Sequence, residues 1–431
     1  MCGFVFVRNA YMSVESSAGL PAACQILIIG AGPAGSAAAR WLAKAGVDVV
    51  FADQQPLGRD KVCGDGLIPD AHHALERLGL LDRVMAKAQR SAHVGCIGPR
   101  GGRIDVPGHL AVLPRRQLDE ILNLGAQEAG ARFLAPARFE AALEDAQGRV
   151  RGARFTIDGQ PHEIAADWVI LATGAVPKAL TAAGMCERHT PSGVALRGYV
   201  RAPAMAGEIK ALEVVWCKPV QPGYGWIFPA PDGSFNIGVG VTDSHKDMAG
   251  KGQKKDVNLR AIFDAFVEHY PPAKRLMAEG ELIGELKGAP LRCTLNGARW
   301  TRPGLLVTGE AAGSTYSFTG EGIGKAMETG LLAAEAILAH RAGTAGNGDG
   351  LHAIDAPVRE QYEQGLRALQ PKYDLYERGN RVNRFPWLAD LLIWRAQKSP
   401  RLLKRMSGVL NETSNPGNLV SLKGLTRLFL E

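Results

Sequence analysis

Apolar positions change rhythm within the first fifty residues. Residues 25–29 form a short apolar run, residues 33–45 place alanines and Leu42 at helical spacing, and residues 47–52 form a second apolar run ending in Asp53. This predicts strand, glycine-rich turn, helix and strand, a βαβ unit of a parallel sheet. The order recurs far downstream, where an apolar strand at residues 305–308 leads through a glycine-rich segment to a helix from about Gly322. Between them, residues 71–87 and 116–129 have helical periodicity, and residues 94–106 and 138–164 alternate as short strands. Residues 168–172 are an apolar strand ending in Thr173-Gly174. Residues 192–242 read as strand-rich, 256–278 as helical and 281–300 as strand-like, and a helical tail follows the loop at 343–350. Within the strand-rich stretch, GYGWIFPAPDGSFNIGVGV reads as a hairpin turning at Pro231-Asp232-Gly233, with Tyr224, Trp226 and Phe228 on one face.

The implied fold class is α/β, a nucleotide-binding Rossmann domain with an inserted β-rich domain and a helical C-terminal region. We expect a disordered extension over residues 1–23, with Met12 an alternative start. The discontinuous nucleotide-binding domain takes residues 24–90, 108–190 and 301–345. The substrate domain takes 91–107 and 191–300, and the helical region 351–431.

Composition narrows the class. The 431 residues are 46% hydrophobic and 22% charged, ordinary for a folded protein. Seven scattered cysteines without a CxxC, and no histidine pairs at metal spacing, point to a reducing, cytoplasmic setting and no metal site. No apolar run approaches the ~20 residues of a spanning helix. The formal charge is +7, and residues 371–431 hold 11 Lys and Arg against 5 Asp and Glu. Basic residues there mix with Leu388, Leu391, Leu392 and Trp394. This segment can lie on anionic lipid as a peripheral contact, or pack on its own domain with its charges solvated. Its aromatics do not interleave with an extended basic groove, which argues against nucleic acid.

The two glycine-rich loops carry the chemistry. In ILIIGAGPAG, Gly30, Gly32 and Gly35 suit a tight turn, close approach of backbone to a pyrophosphate, and helix packing, and Asp53 stands where an acid takes ribose hydroxyls. In GEAAGSTYSFTGEGI, Glu310 is the acid, and Gly320 and Gly322 open a helix whose N-terminus suits a reduced flavin. Two such loops match a dinucleotide held at both ends. No second GxGxxG fits a nicotinamide domain, so electrons come from a transient NAD(P)H or a reduced protein carrier.

Four segments, GAGPAG, KVCGDGL at 61–67, GYGWIFP at 223–229 and GEAAGSTYSFTGEGI, resemble in order and spacing the glutathione-reductase-type flavoproteins of the para-hydroxybenzoate hydroxylase superfamily. Within it the chain is most similar to the geranylgeranyl reductase family. The resemblance implies non-covalent FAD and reduction of carbon–carbon double bonds in isoprenoid chains. It places Pro33, Ala34, Cys63, Gly64, Gly174 and Ile323 at the cofactor, and Arg115, four before Asp119, near the FAD phosphates. Tyr224, Trp226, Phe228 and Tyr316 fall in the wall of a lipid-like or aromatic substrate's cavity, with Cys63, Tyr224 and Trp226 as candidate catalytic residues. Two positions depart from the family pattern: Glu310 stands where Asp is usual, and Ser317 where Pro is usual.

Residue by residue, alternatives remain. Cys63 is a proton donor or a small side chain at a tight turn, with Lys61 lowering and Asp65 raising its pKa. The aromatic face lines a cavity or fills a core. His72 and His73 read as surface or cap residues. The rival functions are a flavin monooxygenase or halogenase, although the WxWxIP halogenase pattern is absent, and a flavin-binding scaffold without turnover.

Overall fold

The computed structural model describes residues 19–242, 257–341, 348–411 and 413, so most of the expected N-terminal extension lies outside the described residues. β1 (Ala23–Ile29), α1 (Pro33–Lys44) and β2 (Val49–Ala52) form the expected βαβ unit, with Ile26 opposite Val49 in parallel register. β3 (Gly66–Leu67) follows. Then α2 (Pro69–Leu78) and α3 (Leu81–Met85) replace the single helix expected over 71–87, because Gly79 takes a left-handed φ of 69° and caps the first. Next come β4 (Gln89–Ile97), β5 (Arg103–Val112), α4 (Arg115–Glu128), β6 (Arg132–Leu134), β7 (Arg138–Glu144), β8 (Val150–Ile157), β9 (Gln160–Leu171) and α5 (Pro177–Ala182).

The strand-rich stretch becomes β10 (Gly193–Arg201), β11 (Leu212–Val215), β12 (Gly223–Ala230) and β13 (Ser234–Thr242). The helical stretch after it divides at Pro271 into α6 (Leu259–His269) and α7 (Pro271–Glu279), since proline fits a helix's first turn but not its interior. β14 (Glu281–Leu291), β15 (Thr301–Arg302) and β16 (Leu305–Val307) lead to α8 (Ile323–His340). The tail comprises α9 (Gly348–Gly379), α10 (Arg381–Arg384), α11 (Trp387–Lys398) and α12 (Pro400–Leu410). No helix among the described residues is long and apolar enough to cross a membrane.

Two eight-stranded sheets result. The first runs β15-β16-β9-β1-β2-β6, parallel from β16 to β6, with β7 and β8 joined through β9. One face packs on α1, α8 and α9, burying Ala38, Leu42, Ile337 and Tyr362; the other buries Leu27, Val169, Phe155 and Leu305. The second sheet runs β14-β10-β13-β12-β11-β4-β5-β3 and packs α6 and α7 against β12 and β13 through Phe263, Phe266 and Leu276. It takes in Gly66–Leu67 and all of β5, so the expected boundary between residues 107 and 108 falls inside a strand.

The helical tail divides. α9 belongs to the first sheet's core, where Arg149 and Asp355, both buried, pair at 3.1 Å. α11 and α12 lie against β4 and β5, with Gln397 Nε2 donating to Arg103 O and Ser407 Oγ to Pro107 O.

Candidate functional site

The first glycine loop is dictated by close backbone contact. A Cβ at Gly30, whose φ is +106°, would stand 2.3 Å from Ala172 O, and one at Gly35 would stand 1.8 Å from Gly30 O. Gly35 lies behind the loop and lets α1 approach β1, whereas Gly32, Pro33 and Ala34 face a cavity of 1080 Å³. At Gly32 a Cβ would meet only the guanidinium ends of Arg115 and Arg59, at 3.7 and 3.8 Å. Asp53 takes the predicted place after β2. Its Oδ2 accepts from Ala31 N and its Oδ1 from Gln55 N, each at 2.9 Å. Arg115 opens α4 and donates to both oxygens of Asp119, at 2.7 and 2.8 Å. Burial alone would lower its pKa, but the Asp119 carboxylate outweighs this and holds it well above the usual value, so the cation persists beside the loop.

The second loop closes the same cavity from the opposite sequence end. Glu310, in a short turn after β16, accepts from Thr315 Oγ1 at 3.4 Å. Gly320, at a φ of +68°, and Gly322 lead into α8 at Ile323, and all three line the cavity, as does Gly174, three residues beyond β9. The cavity thus joins a helix N-terminus and two guanidinium groups, apt for phosphates, to the N-terminus of α8. The open cradle over Gly32, with Asp53 and Arg115 beside it, fits an FAD.

Between the loops, the aromatic strand faces inward. Tyr224, Trp226 and Phe228 all line the cavity, with successive ring centroids 6.2 and 6.3 Å apart, while Gly225 and Ile227 turn to α6. The motif loop lies on this face: a Cβ at Gly64 would be 3.2 Å from the Phe228 ring. Cys63 lines the cavity and its Sγ accepts from Asp65 N at 3.3 Å. Burial, reinforced by the Asp65 carboxylate and opposed by Arg115, pushes this thiol's pKa up and keeps it protonated.

Below the loop sits a buried network that the sequence reading missed. Asp65, fully buried at a φ of 63°, accepts from Tyr199 Oη and from Asn236 Nδ2, the latter at 2.8 Å. The same Asn236 nitrogen donates to Cys63 O at 2.8 Å, and its Oδ1 accepts from Trp226 Nε1 at 2.9 Å. One carboxamide therefore fixes both the motif loop and the aromatic strand. Burial raises the Asp65 carboxyl from 3.8 to about 6 against the pull of its Tyr199 and Asn236 hydrogen bonds. The signal was a lone asparagine in the apolar strand SFNIGVGV.

Two expectations are corrected. Tyr316 does not line the cavity: its ring stacks on Tyr376 at 4.0 Å and lies 4.6 Å from Tyr373, buried beneath α9. His73 is exposed as expected, but His72 is half-buried, and burial lowers its pKa to about 4.

The far end of the cavity is apolar. Beyond Trp226 and Phe228 it is bounded by Val94, Val106 and Leu212 of the second sheet, and then by Leu392, Ile393, Leu402, Met406 and Val409 of α11 and α12.

Comparison with known proteins follows this geometry. A family model described as FAD binding domain matches residues 23–249. The chain is 32% identical over 326 residues to a menaquinone reductase of Mycolicibacterium smegmatis, covering 72% of this chain and 75% of that protein. It is 30% identical over 312 residues to digeranylgeranylglycerophospholipid reductase 2 of Methanopyrus kandleri, covering 72% and 76%. A solved structure of a geranylgeranyl bacteriochlorophyll reductase-like protein from Thermoplasma acidophilum superposes with a TM-score of 0.66 at 21% identity, over 95% of this chain and 96% of that one.

Proposed function

This chain belongs to the FAD-binding-domain family of oxidoreductases, in its geranylgeranyl reductase branch, and from that premise we propose that it saturates a carbon–carbon double bond of a polyprenyl chain carried by a quinone or lipid. The observation that carries the proposal is the continuity of the cavity, from the glycine cradle past three in-facing aromatics to an apolar end walled by α11 and α12. The two relatives act, by name, on molecules that share a polyprenyl chain.

When bound, FAD supplies the hydride. The chain's own residues hold and orient. Gly30 to Ala34, Asp53, Arg115 and the N-terminus of α1 take the adenosine and phosphate portion, and Gly174, Glu310, Gly320, Gly322 and Ile323 border the opposite portion. Tyr224, Trp226 and Phe228 exclude water from the reacting bond. The Cys63 thiol, kept protonated by burial, holds a proton at Sγ for the substrate carbon.

The test is anaerobic. Protein reduced with dithionite should gain oxidised flavin absorbance on mixing with a polyprenyl quinone or lipid, and the product, after air reoxidation of any quinol, should carry two added hydrogens on the carbons of its prenyl chain; two hydrogens on the quinone ring alone would overturn the proposal. Cys63→Ala should keep its flavin and lose turnover by roughly 100-fold or more. Reoxidation that requires oxygen and yields a hydroxylated aromatic would instead support a monooxygenase. Flavin that stays reduced with every substrate would support a scaffold. NAD(P)H and a reduced protein carrier are compared as donors in the same assay.

A further inference from the structure

The helix that closes the apolar end of the cavity has a second apolar face. In α11, Ala389, Ile393 and Ala396 are buried, and Ile393 and Leu392 reach the cavity. On the other side Trp387, Leu391, Trp394 and Lys398 follow at i, i+4, i+7 and i+11, one stripe along the helix. Trp387 is 60% and Trp394 48% exposed, and Phe385, just before the helix, is 45% exposed. These are the only aromatics among the exposed large apolar residues of the described chain; the other five are aliphatic and lie elsewhere in the sequence. Single exposed apolar side chains need no explanation, but three aromatics within ten residues form a patch.

The charge along this segment is almost entirely positive. Residues 380–411 contain seven Lys and Arg and a single acid, Asp390. That acid is turned inward to the adjoining turn, accepting from Arg100 N at 3.1 Å. Arg381, Arg384, Lys398, Arg401 and Lys404 are exposed, and Lys398 Nζ sits 4.4 Å over the Trp394 ring.

We propose that this outer face of α11, with the cations of α10 and α12, docks the protein on an anionic lipid bilayer. Tryptophan favours the depth at which apolar chains meet headgroups, and the surrounding cations meet the negative surface. A second copy fits less well, since a two-fold contact would set this basic face against itself. The surface lies one helix diameter, about 10 Å, from the apolar end of the cavity. A polyprenyl chain dissolved in the bilayer would then enter the apolar end of the cavity past α11 without crossing water. That last step alone rests on the polyprenyl reading; the docking does not.

The test uses the full chain loaded with FAD and vesicles free of substrate. Sedimentation with phosphatidylcholine vesicles containing phosphatidylglycerol should exceed that with phosphatidylcholine alone and weaken as salt is added. Trp387→Ser/Trp394→Ser and, separately, Lys398→Glu/Arg401→Glu should each weaken binding by about tenfold or more. Both variants should keep wild-type flavin content and melting temperature, and wild-type turnover of a detergent-dispersed substrate. Equal binding to both vesicle types, or unchanged binding by either variant, overturns the proposal. So does self-association without vesicles that the tryptophan variant abolishes. If vesicles bind as expected while no polyprenyl substrate is reduced, the docking stands and the substrate reading fails.

Discussion

The two glycine-rich loops look alike in sequence but are constrained by different atoms. At the first, the added Cβ at Gly30 or Gly35 meets carbonyl oxygens of neighbouring backbone, which no side-chain motion relieves. At the second, the nearest atoms are side chains: Tyr224 Oη stands 2.7 Å from a Cβ at Gly320, and Thr315 Oγ1 stands 2.6 Å from one at Gly322. The first loop is a fixed scaffold. The second is fitted to Tyr224 and Thr315, which line the cavity, so its shape and theirs are coupled.

The largest effect should come from the scaffold. Gly35→Ala forces α1 away from β1 and should cost on the order of 3 kcal/mol or more. Purified protein should melt well below wild type and carry no flavin absorbance; a flavin-loaded, stable variant would erase the distinction between the loops.

The loop between them should respond to pH. The folded state holds the Asp65 proton more tightly than an unfolded chain, with a carboxyl raised from 3.8 to about 6. Its stabilising contribution is therefore complete below pH 3.8 and is lost as pH rises through about 6, a change on the order of 3 kcal/mol. Calorimetry of wild type and Asp65→Asn from about pH 4 to about pH 7 should show the stability of wild type relative to the variant falling as pH rises. A difference that stays constant would assign Asp65 an ordinary pKa.

A smaller effect is expected at the fitted loop. Gly320→Ala combines strain at positive φ with the clash against Tyr224, roughly 1 to 2 kcal/mol. Adding Tyr224→Phe should restore part of the loss, because it removes the atom in the way; failure to rescue would put the second loop in the same class as the first. The smallest change is Ser317→Ala. The Ser317 hydroxyl is buried without a hydrogen-bond partner among the described residues, so its removal should be neutral or stabilising by up to about 1 kcal/mol in the same melts.

The parts legible in the sequence were those fixed by local spacing. The βαβ unit, both glycine loops and the β12–β13 hairpin each declare themselves within about thirty residues, through apolar period and turn chemistry. The parts that were not legible depend on distant partners. Asp65 was visible in its motif, but nothing nearby indicates that Asn236 and Tyr199 would converge on it from two strands more than 130 residues away. Tyr316 sits in a motif facing the cavity, yet the competing attraction of Tyr373 and Tyr376 on α9 turns it into the core. The same reason explains His72, whose half-buried position depends on how α2 lies against the rest of the fold.

Helix α9 bears on how the chain can be cut and recombined. Asp355 accepts from Arg149 Nε and from Gly304 N, at 3.1 and 2.7 Å; Tyr362 Oη donates to Val307 O at 2.6 Å, and Tyr373 Oη to Ser314 O at 2.9 Å. A fragment ending after α8 would strand the buried Arg149 charge and leave those carbonyls without donors. In a chimera, residues 301–379 travel as one cassette that must keep its Arg149 partner, whereas the crossover point for exchanging what lies beyond falls between α9 and α11.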